Sequence, residues 1–344
     1  MMAVIRAFKT VLLMPIWIVQ LATTAKSFLD HPLIGSRRLN QMGLHRARVR
    51  IADRLCQWRR SRLAAKVPPQ WREAFERDGF VVVENVIPPE DFPALRDALL
   101  GSPWDAREMR QGDAITRRIA VDPTMMDKVP ELARLLDRKD INALFHYVAS
   151  YRTTPLHYIQ TIASKSGGDD PDPQEAVHAD SFHASMKAWL FLRPVEVEDG
   201  PFTYVRGSHR FTPERVDWEY ERSLADPASI DRLSARGSPR VSQDDLSRMN
   251  LSKAEALPVA HNTLVVADTA GFHARGPALR SGERVEIWSY ARRNPFFPWL
   301  GGDLLSLPGI AERRIRWLWA LRDRFEARIG QPWKPVGRRR PTDD

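Results

Sequence analysis

From residue 156 onward the chain is cut into short apolar stretches: LHYIQTIAS (156–164), MKAWLFL (186–192), PFTYV (201–205), NTLVVAD (262–268) and RVEIWSYAR (284–292). Clusters of Gly, Pro and Asp separate them, and each has the length of a strand. Several short strands bury an apolar face only by closing into a barrel or packing as a sandwich. The residues before them read differently. PPQWREAFERDGF is a short helix stopped at Gly79, FVVVENVI a buried strand, and PPEDFPALRDALL a helix with prolines at its start and acids in its first turn. Residues 128–149 also read as helical. Helices first and strands after predict an α+β fold, a barrel or sandwich core carrying N-terminal helices. Residues 212–255 are polar and read as a long insertion or lid, and GIAERRIRWLWALRDRFEARI (309–329) as an amphipathic helix.

Within the strand region, AVHADSFHAS (176–185) holds two histidines and an aspartate. On a strand His178 and Asp180 project to one side, while His183 has the opposite parity. The pair is H-x-D, half of a metal site at most. A ferrous site of two imidazoles and one carboxylate leaves three octahedral positions open, and its second imidazole should come from a distant strand. His273, just after NTLVVAD and 93 residues beyond Asp180, is placed for that role. Arg284 follows eleven positions later at the head of another strand, where a guanidinium can grip a carboxylate bidentately. Lys187 shares parity with Trp189. A lysine aimed into a barrel is costly unless it meets a carboxylate or phosphate, so Lys187 is a candidate for substrate or cosubstrate contact. His183 either touches substrate or sits on the outer face, and His209 in GSHR reads as a turn residue satisfying backbone groups.

Charge is concentrated at the ends. Of the formal net charge of +9, the segment Lys26–Lys66 carries the whole excess, with eleven Lys/Arg against Asp30 and Asp53. The C-terminal region is also basic, with Arg338-Arg339-Arg340. Residues 10–25 (TVLLMPIWIVQLATTA) are uncharged, but contain Pro15 and Gln20 and fall short of the ~20 apolar residues of a membrane span. A signal peptide would need Thr23-Thr24-Ala25 as a poor cleavage site, and a helix packed on its own protein is the plain alternative. An interfacial anchor followed by a basic stretch fits the charge pattern best, giving a cytoplasmic protein held peripherally at an anionic membrane surface. No nucleic-acid partner is expected. The single cysteine, Cys56, excludes a disulfide framework and a thiolate metal cage. Three segments are expected: an extension over 1–66, a globular domain over 67–308, and a helix with a basic tail over 309–344.

Several stretches, taken in order, resemble the phytanoyl-CoA dioxygenase family of Fe(II)- and 2-oxoglutarate-dependent oxygenases. FERDGFVVVENVIPPEDFPALRDAL is similar to the family's opening helix, strand and helix, and HADSFH stands in its H-x-D place. KAWLFLRPVEVEDGPFTYVRGSHR resembles the strand with its Trp and the Gly-Ser-His segment, and GFHARGPALRSGER supplies the distal histidine and later arginine. The resemblance covers roughly residues 70–295. It implies a double-stranded β-helix (a jelly-roll, cupin-like core), iron held by His178, Asp180 and His273, and 2-oxoglutarate anchored by Arg284 beside Trp189. The implied reaction uses O2, releases succinate and CO2, and hydroxylates a small-molecule, lipid or acyl-type substrate. Related halogenases lack the carboxylate ligand, so Asp180 favours hydroxylation. Two departures stand out: Arg275 occupies a position where the family often has a small hydroxyl residue, and the loop 166–176 is unusually acidic. Two rival readings differ in class. One is a membrane-docking scaffold with an idle barrel, which would have no reason to keep the full residue set. The other is a metal-dependent hydrolase on the same three ligands, which would have no use for Arg284.

Overall fold

The structure is a computed structural model that describes residues 12–164 and 172–343. Its helices are α1 (residues 12–20), α2 (Arg37–Gln41), α3 (Leu44–Leu63), α4 (Pro69–Asp78), α5 (Phe92–Gly101), α6 (Pro123–Lys128), α7 (Pro130–Leu136), α8 (Lys139–Ala149), α9 (Pro213–Leu224), α10 (Arg232–Ala235), α11 (Gln243–Arg248), α12 (Arg314–Arg324) and α13 (Glu326–Ile329). The strands are β1 (Phe80–Val83), β2 (Trp104–Gln111), β3 (Ala114–Ala120), β4 (Leu156–Ser164), β5 (Met186–Phe191), β6 (Phe202–Tyr204), β7 (Glu255–Leu257), β8 (Leu264–Asp268), β9 (His273–Arg275), β10 (Gly282–Ala291) and β11 (Lys334–Arg339).

The strands form two antiparallel sheets, β1-β8-β5-β10-β4-β3-β2-β11 and β7-β6-β9. They face one another: the rings of Trp189 and Phe202 lie 4.4 Å apart, and those of Phe80 and Tyr204 5.3 Å. The period-two alternation read from MKAWLFL sorts its side chains as expected. Lys187, Trp189 and Phe191 point between the sheets, while Ala188, Leu190 and Leu192 join Leu99, Leu144 and Val148 of the helices covering the outer face. The architecture is the expected α+β fold with a jelly-roll core.

Three features depart from the expectations. The first is the hairpin β2–β3, turned at Gly112-Asp113, which extends the large sheet. Its inward residues Met109, Gln111, Thr116 and Arg118 line a polar cavity, which erases the apolar alternation by which a strand is recognised. The second is the basic C-terminal stretch, which forms β11 and pairs antiparallel with β2. The helix expected over 309–329 shortens to α12, with α13 following after Phe325. The third is the N-terminal extension, for which residue 66 marks no boundary of packing. Val49 and Ala52 of α3 pack with Phe182 and Val216, and Leu63 enters the main core. The polar stretch 212–255 folds as α9, α10 and α11, with α9 lying against α2 and α3.

The basic residues of α2 and α3 divide by exposure. Arg37, Arg38, Arg50, Arg54 and Arg62 are exposed, whereas Arg48, Arg59 and Arg60 are buried. Burial is tolerated because each buried guanidinium meets oxygen. Arg48 donates to the carbonyls of Leu21, Thr23 and Ala25, and Arg59 to those of Ser150, Pro295 and Phe297. Arg60 Nη2 meets Asp268 Oδ2 at 2.7 Å and the carbonyl of Val148 at 2.7 Å. The other Asp268 oxygen accepts from the backbone N–H of Ser185 and Ala270, both at 3.0 Å. Breaking a buried pair leaves a charge without its partner, which costs roughly 3–5 kcal/mol. Asp268→Ala is therefore expected to lower the free energy of unfolding by about that amount, measured by urea denaturation, whereas Asp217→Ala, which breaks the exposed Arg46–Asp217 pair, should change it by under ~1 kcal/mol.

Candidate metal centre

The segment carrying His178 is a single bridge and not a continuous strand. His178 exchanges backbone hydrogen bonds with His273, each 2.9 Å, and its other side bridges to Arg240, so it widens the small sheet. The chain then bends, and the Asp180 N–H donates to the carbonyl of Thr269 at 2.8 Å. Gly271 is required nearby, because a Cβ there would collide with the Tyr204 hydroxyl. This backbone brings two histidines 95 residues apart into ring contact, with centroids at 4.6 Å. Asp180 faces both: Oδ1 lies 3.8 Å from His178 Nε2 and Oδ2 lies 3.7 Å from His273 Nε2. Each of the three residues has one donor atom within 4.8 Å of the others.

The electronic state of the group suits a cation. His178 Nδ1 donates to the carbonyl of Ala176 at 2.7 Å, and His273 Nδ1 to that of Gly271 at 3.0 Å. Those bonds leave each Nε2 with a lone pair directed at the site, and the buried His273 Nε2 has no hydrogen-bond partner. Burial, and then the neighbouring His273, pulls the His178 pKa down to about 3; burial likewise pulls His273 to about 4. Both imidazoles are neutral at pH 7. Burial alone would raise the Asp180 pKa, but Lys187 and the two histidines outweigh it and hold the carboxyl well below its usual range. The Lys187 ammonium sits 2.6 Å from Asp180 Oδ2. Two neutral imidazoles and an ionised carboxylate converging on one point are the donors a ferrous ion takes.

The group opens into a cavity of about 370 Å³ between the sheets. Lys187, Trp189 and Arg284 line it, and His183 does not. His183 lies on the bent loop beyond Asp180, away from the cavity, and is buried beside Phe182 with its Nε2 unpartnered. Arg284 is buried, donates to the carbonyl of Gly200 at 2.6 Å, and meets Glu286 at 3.1 Å. Arg275 pairs with Asp172, so the two departures noted in the sequence answer each other: the acidic loop supplies the counter-charge to the arginine. Residues 166–171 of that loop lie outside the described residues. His209 ties no turn, since its ring packs on Phe75 at 5.0 Å and its Nδ1 has no partner.

Four further cavity residues escaped the sequence reading. Tyr290 and Arg292 share the parity of Arg284 and Trp288, which was a usable signal. Arg118, on the unrecognised hairpin, stacks over Trp288 at 4.1 Å and Trp333 at 4.4 Å. Lys26 reaches the cavity from the N-terminal extension and donates to the Asp180 carbonyl at 2.5 Å. Burial, followed by repulsion from Arg292, lowers its pKa to about 8.

Two facing antiparallel sheets with a His–Asp–His group in the mouth between them define the class of jelly-roll proteins that hold a metal at one end of the barrel. Within that class the match is specific: residues 75–274 fit the profile of the phytanoyl-CoA dioxygenase (PhyH) family, and the chain belongs to it. No curated protein matches the sequence. Among solved structures, the chain is similar to the epimerase SnoN in complex with Fe3+, alpha-ketoglutarate and nogalamycin RO (20% identity, 70% of this chain and 90% of that one, TM-score 0.43). It is also similar to HygX from Streptomyces hygroscopicus with nickel and 2-oxoglutarate bound (18%, 65% and 87%, TM-score 0.41). A third is AviO1 from Streptomyces viridochromogenes Tue57 (18%, 70% and 96%, TM-score 0.38). None of these likenesses is close enough to carry a substrate across.

The buried histidines also make stability depend on pH. His183 and His209 are held well below the ordinary imidazole value of 6.5, first by burial and then by Arg292 and Arg60 respectively. Both stay neutral in the fold and gain a proton on unfolding once the pH drops below 6.5. The unfolded chain then binds more protons, so stability falls with falling pH by up to ~1.4 kcal/mol per pH unit for each histidine. Urea unfolding between about pH 7.5 and pH 5 should show this decline, and His209→Asn should reduce its slope by one such increment.

Proposed function

We propose that the chain is an Fe(II)- and 2-oxoglutarate-dependent dioxygenase that hydroxylates a small organic substrate. The supporting observation is the pair of bare Nε2 atoms, fixed by Nδ1–H bonds to carbonyls, that face an ionised Asp180 in a cavity containing Arg284. His178, Asp180 and His273 would hold the iron on one face. When bound, iron and 2-oxoglutarate supply the oxidising chemistry, with succinate and CO2 as coproducts. The protein's own part is arrangement. The carbonyls of Ala176 and Gly271 fix both ring tautomers, Lys187 keeps Asp180 ionised and oriented, and Arg284 offers its guanidinium to the far carboxylate of the cosubstrate. Trp189 and Trp288, cross-strand partners between the sheets, wall off water along that path. The hydrolase and scaffold readings give Arg284, a buried cation lining the cavity, no ligand to bind.

Fe(II) with 2-oxoglutarate, mixed anaerobically with the protein, should give the weak visible charge-transfer band of a bidentate chelate. Asp180→Ala or His273→Ala should abolish it. Arg284→Met, made together with Glu286→Gln so that no carboxylate is left buried alone, should raise the 2-oxoglutarate requirement about 10- to 100-fold with iron binding kept. A normal band in the Asp180 and His273 variants, or an unchanged cosubstrate requirement in the arginine variant, removes those assignments. After oxygen is admitted, a one-oxygen mass gain in product distinguishes hydroxylation from epimerisation, which leaves mass unchanged.

A second reading concerns location. No described helix is long and apolar enough to cross a membrane. Helix α1 nonetheless leaves Leu12, Ile16 and Val19 exposed at 65%, 53% and 67%, and the outward face of α3 sets Ile51 and Trp58 among Arg50, Arg54 and Arg62. This is the makeup of an interfacial surface, with each free basic residue near an anionic leaflet adding on the order of 1 kcal/mol. Full-length protein should cosediment with anionic liposomes more than with neutral ones. High salt should weaken the binding, and serine at positions 12, 16 and 19 should reduce it severalfold. Equal sedimentation with both lipids refutes the surface. Deleting residues 1–66 is no test, because it would strip α3 from the core.

A further inference from the structure

The cavity carries more positive charge than a ferrous site and one dicarboxylate need. Among the described residues, six cationic side chains and a single carboxylate, Asp180, line it. Three of the six have acidic partners: Lys187 meets Asp180, Arg275 meets Asp172 and Arg284 meets Glu286. Arg118 is held by Gln160 and aromatic faces. Lys26 and Arg292 remain. Lys26 donates only to a backbone carbonyl, and Arg292, whose guanidinium lies 5.9 Å over the Tyr290 ring, has neither a hydrogen bond nor an ion pair among the described residues.

Strand β10 shows where these two sit. Arg284, Glu286, Trp288 and Tyr290 follow one another on its cavity face, opposite Ile162, Gln160, Tyr158 and Leu156 of β4, and Arg292 is the next step. Eight residues of strand separate Arg284 from Arg292, roughly 27 Å along the backbone. Lys187 is the cross-strand partner of Tyr290, so the Asp180 end of the trough is also the Arg292 end. A dicarboxylate that reaches from Arg284 to the metal group has both carboxylates engaged, one by the guanidinium and one by the metal, and leaves neither for Lys26 and Arg292. The second pair of cations therefore faces a different anion.

We propose that Lys26 and Arg292 form a subsite for an anionic group of the substrate, a phosphate or carboxylate, at the opposite end of the trough from Arg284. The inference rests on the trough being the active site. Both residues lie outside the stretch 75–274 that matches the family profile. Lys26 is placed by Arg48 of α3, whose guanidinium clamps the carbonyls of Leu21, Thr23 and Ala25 just upstream. The N-terminal extension is thus part of the substrate site, and selectivity for an anionic substrate combines a residue of that extension with one at the end of β10.

The test is calorimetric titration of full-length, metal-free protein with three probes sharing one ring: phenyl phosphate, benzoate and benzyl alcohol. At least one anion should bind at tenfold lower concentration than the alcohol, and the tighter of the two assigns the subsite to phosphate or to carboxylate. Lys26→Met and Arg292→Met should each weaken that anion about tenfold or more with thermal midpoints unchanged, Lys26→Arg and Arg292→Lys should restore part of the loss, and Arg284→Met made together with Glu286→Gln should change it less than twofold. Equal binding of benzyl alcohol, wild-type affinity in either methionine variant, or a larger loss in the Arg284 variant than in the other two overturns the proposal. The titration needs neither iron nor 2-oxoglutarate, so it is scored whatever the visible band shows about the dioxygenase reading.

Discussion

One carboxylate, Asp268, ties the separate parts of this protein together. It stands at the end of β8, where Oδ2 accepts from Arg60 of α3 and Oδ1 from the backbone of Ser185 and Ala270, while its carbonyl accepts from the Tyr204 hydroxyl at 2.7 Å. Its own N–H donates to the carbonyl of Gly79, between α4 and β1. The next residue, Thr269, accepts from the Asp180 N–H, and His273 follows four positions later. The N-terminal helix, both sheets and two proposed metal ligands thus converge on one buried group. A lone carboxylate at 1% exposure would be prohibitively desolvated; with Arg60 and two amides it becomes a fixed reference point for the turns on either side.

The central strands were legible because they obey local rules, and the three proposed ligands were nameable from residue type and order. Alternation in MKAWLFL and RVEIWSYAR places alternate residues between the sheets. The H-x-D spacing also marked His178 and Asp180, but there the chain is a bridge followed by a bend, so their convergence and the exclusion of His183 come from the path of that loop and not from strand parity. The hairpin β2–β3 hid because a polar cavity replaces the apolar face by which strands are recognised. Lys26 could not be found from its neighbours at all. Its position depends on Arg48, 22 residues later, and on a loop near residue 180, which is tertiary information. The charge of the Lys26–Lys66 segment was visible, but its division was not: which arginines turn inward depends on where backbone carbonyls wait for them, and a count of charges carries no face.

The buried arginines also explain why the extension and the barrel act as one unit. Arg48 and Arg59 are satisfied largely by carbonyl oxygens, which neither titrate nor carry a net charge. The contact is therefore held by desolvated hydrogen bonds more than by ion pairing, which screening by salt affects little. The charge that faces solvent is a separate population, free for partners. One segment can then serve as core, as wall of the cavity and as outer surface, because its three roles fall on different faces of α3 and on the strap before it.

The cavity draws on residues as far apart in the chain as Lys26 and Trp333, and its metal group on residues 178 and 273. Contacts of such long range form late, since the entropy of closing large loops must be overcome before they contribute. The two imidazoles meet only where β9 lies beside the His178 bridge, and Asp180 faces them through its bond to the turn at Thr269. An unfolded or half-folded chain presents no three-ligand set to a passing ferrous ion. For the ferrous site proposed above, the wide separation of these residues along the chain means that the complete ligand set exists only in the folded barrel, whose walls then surround the metal.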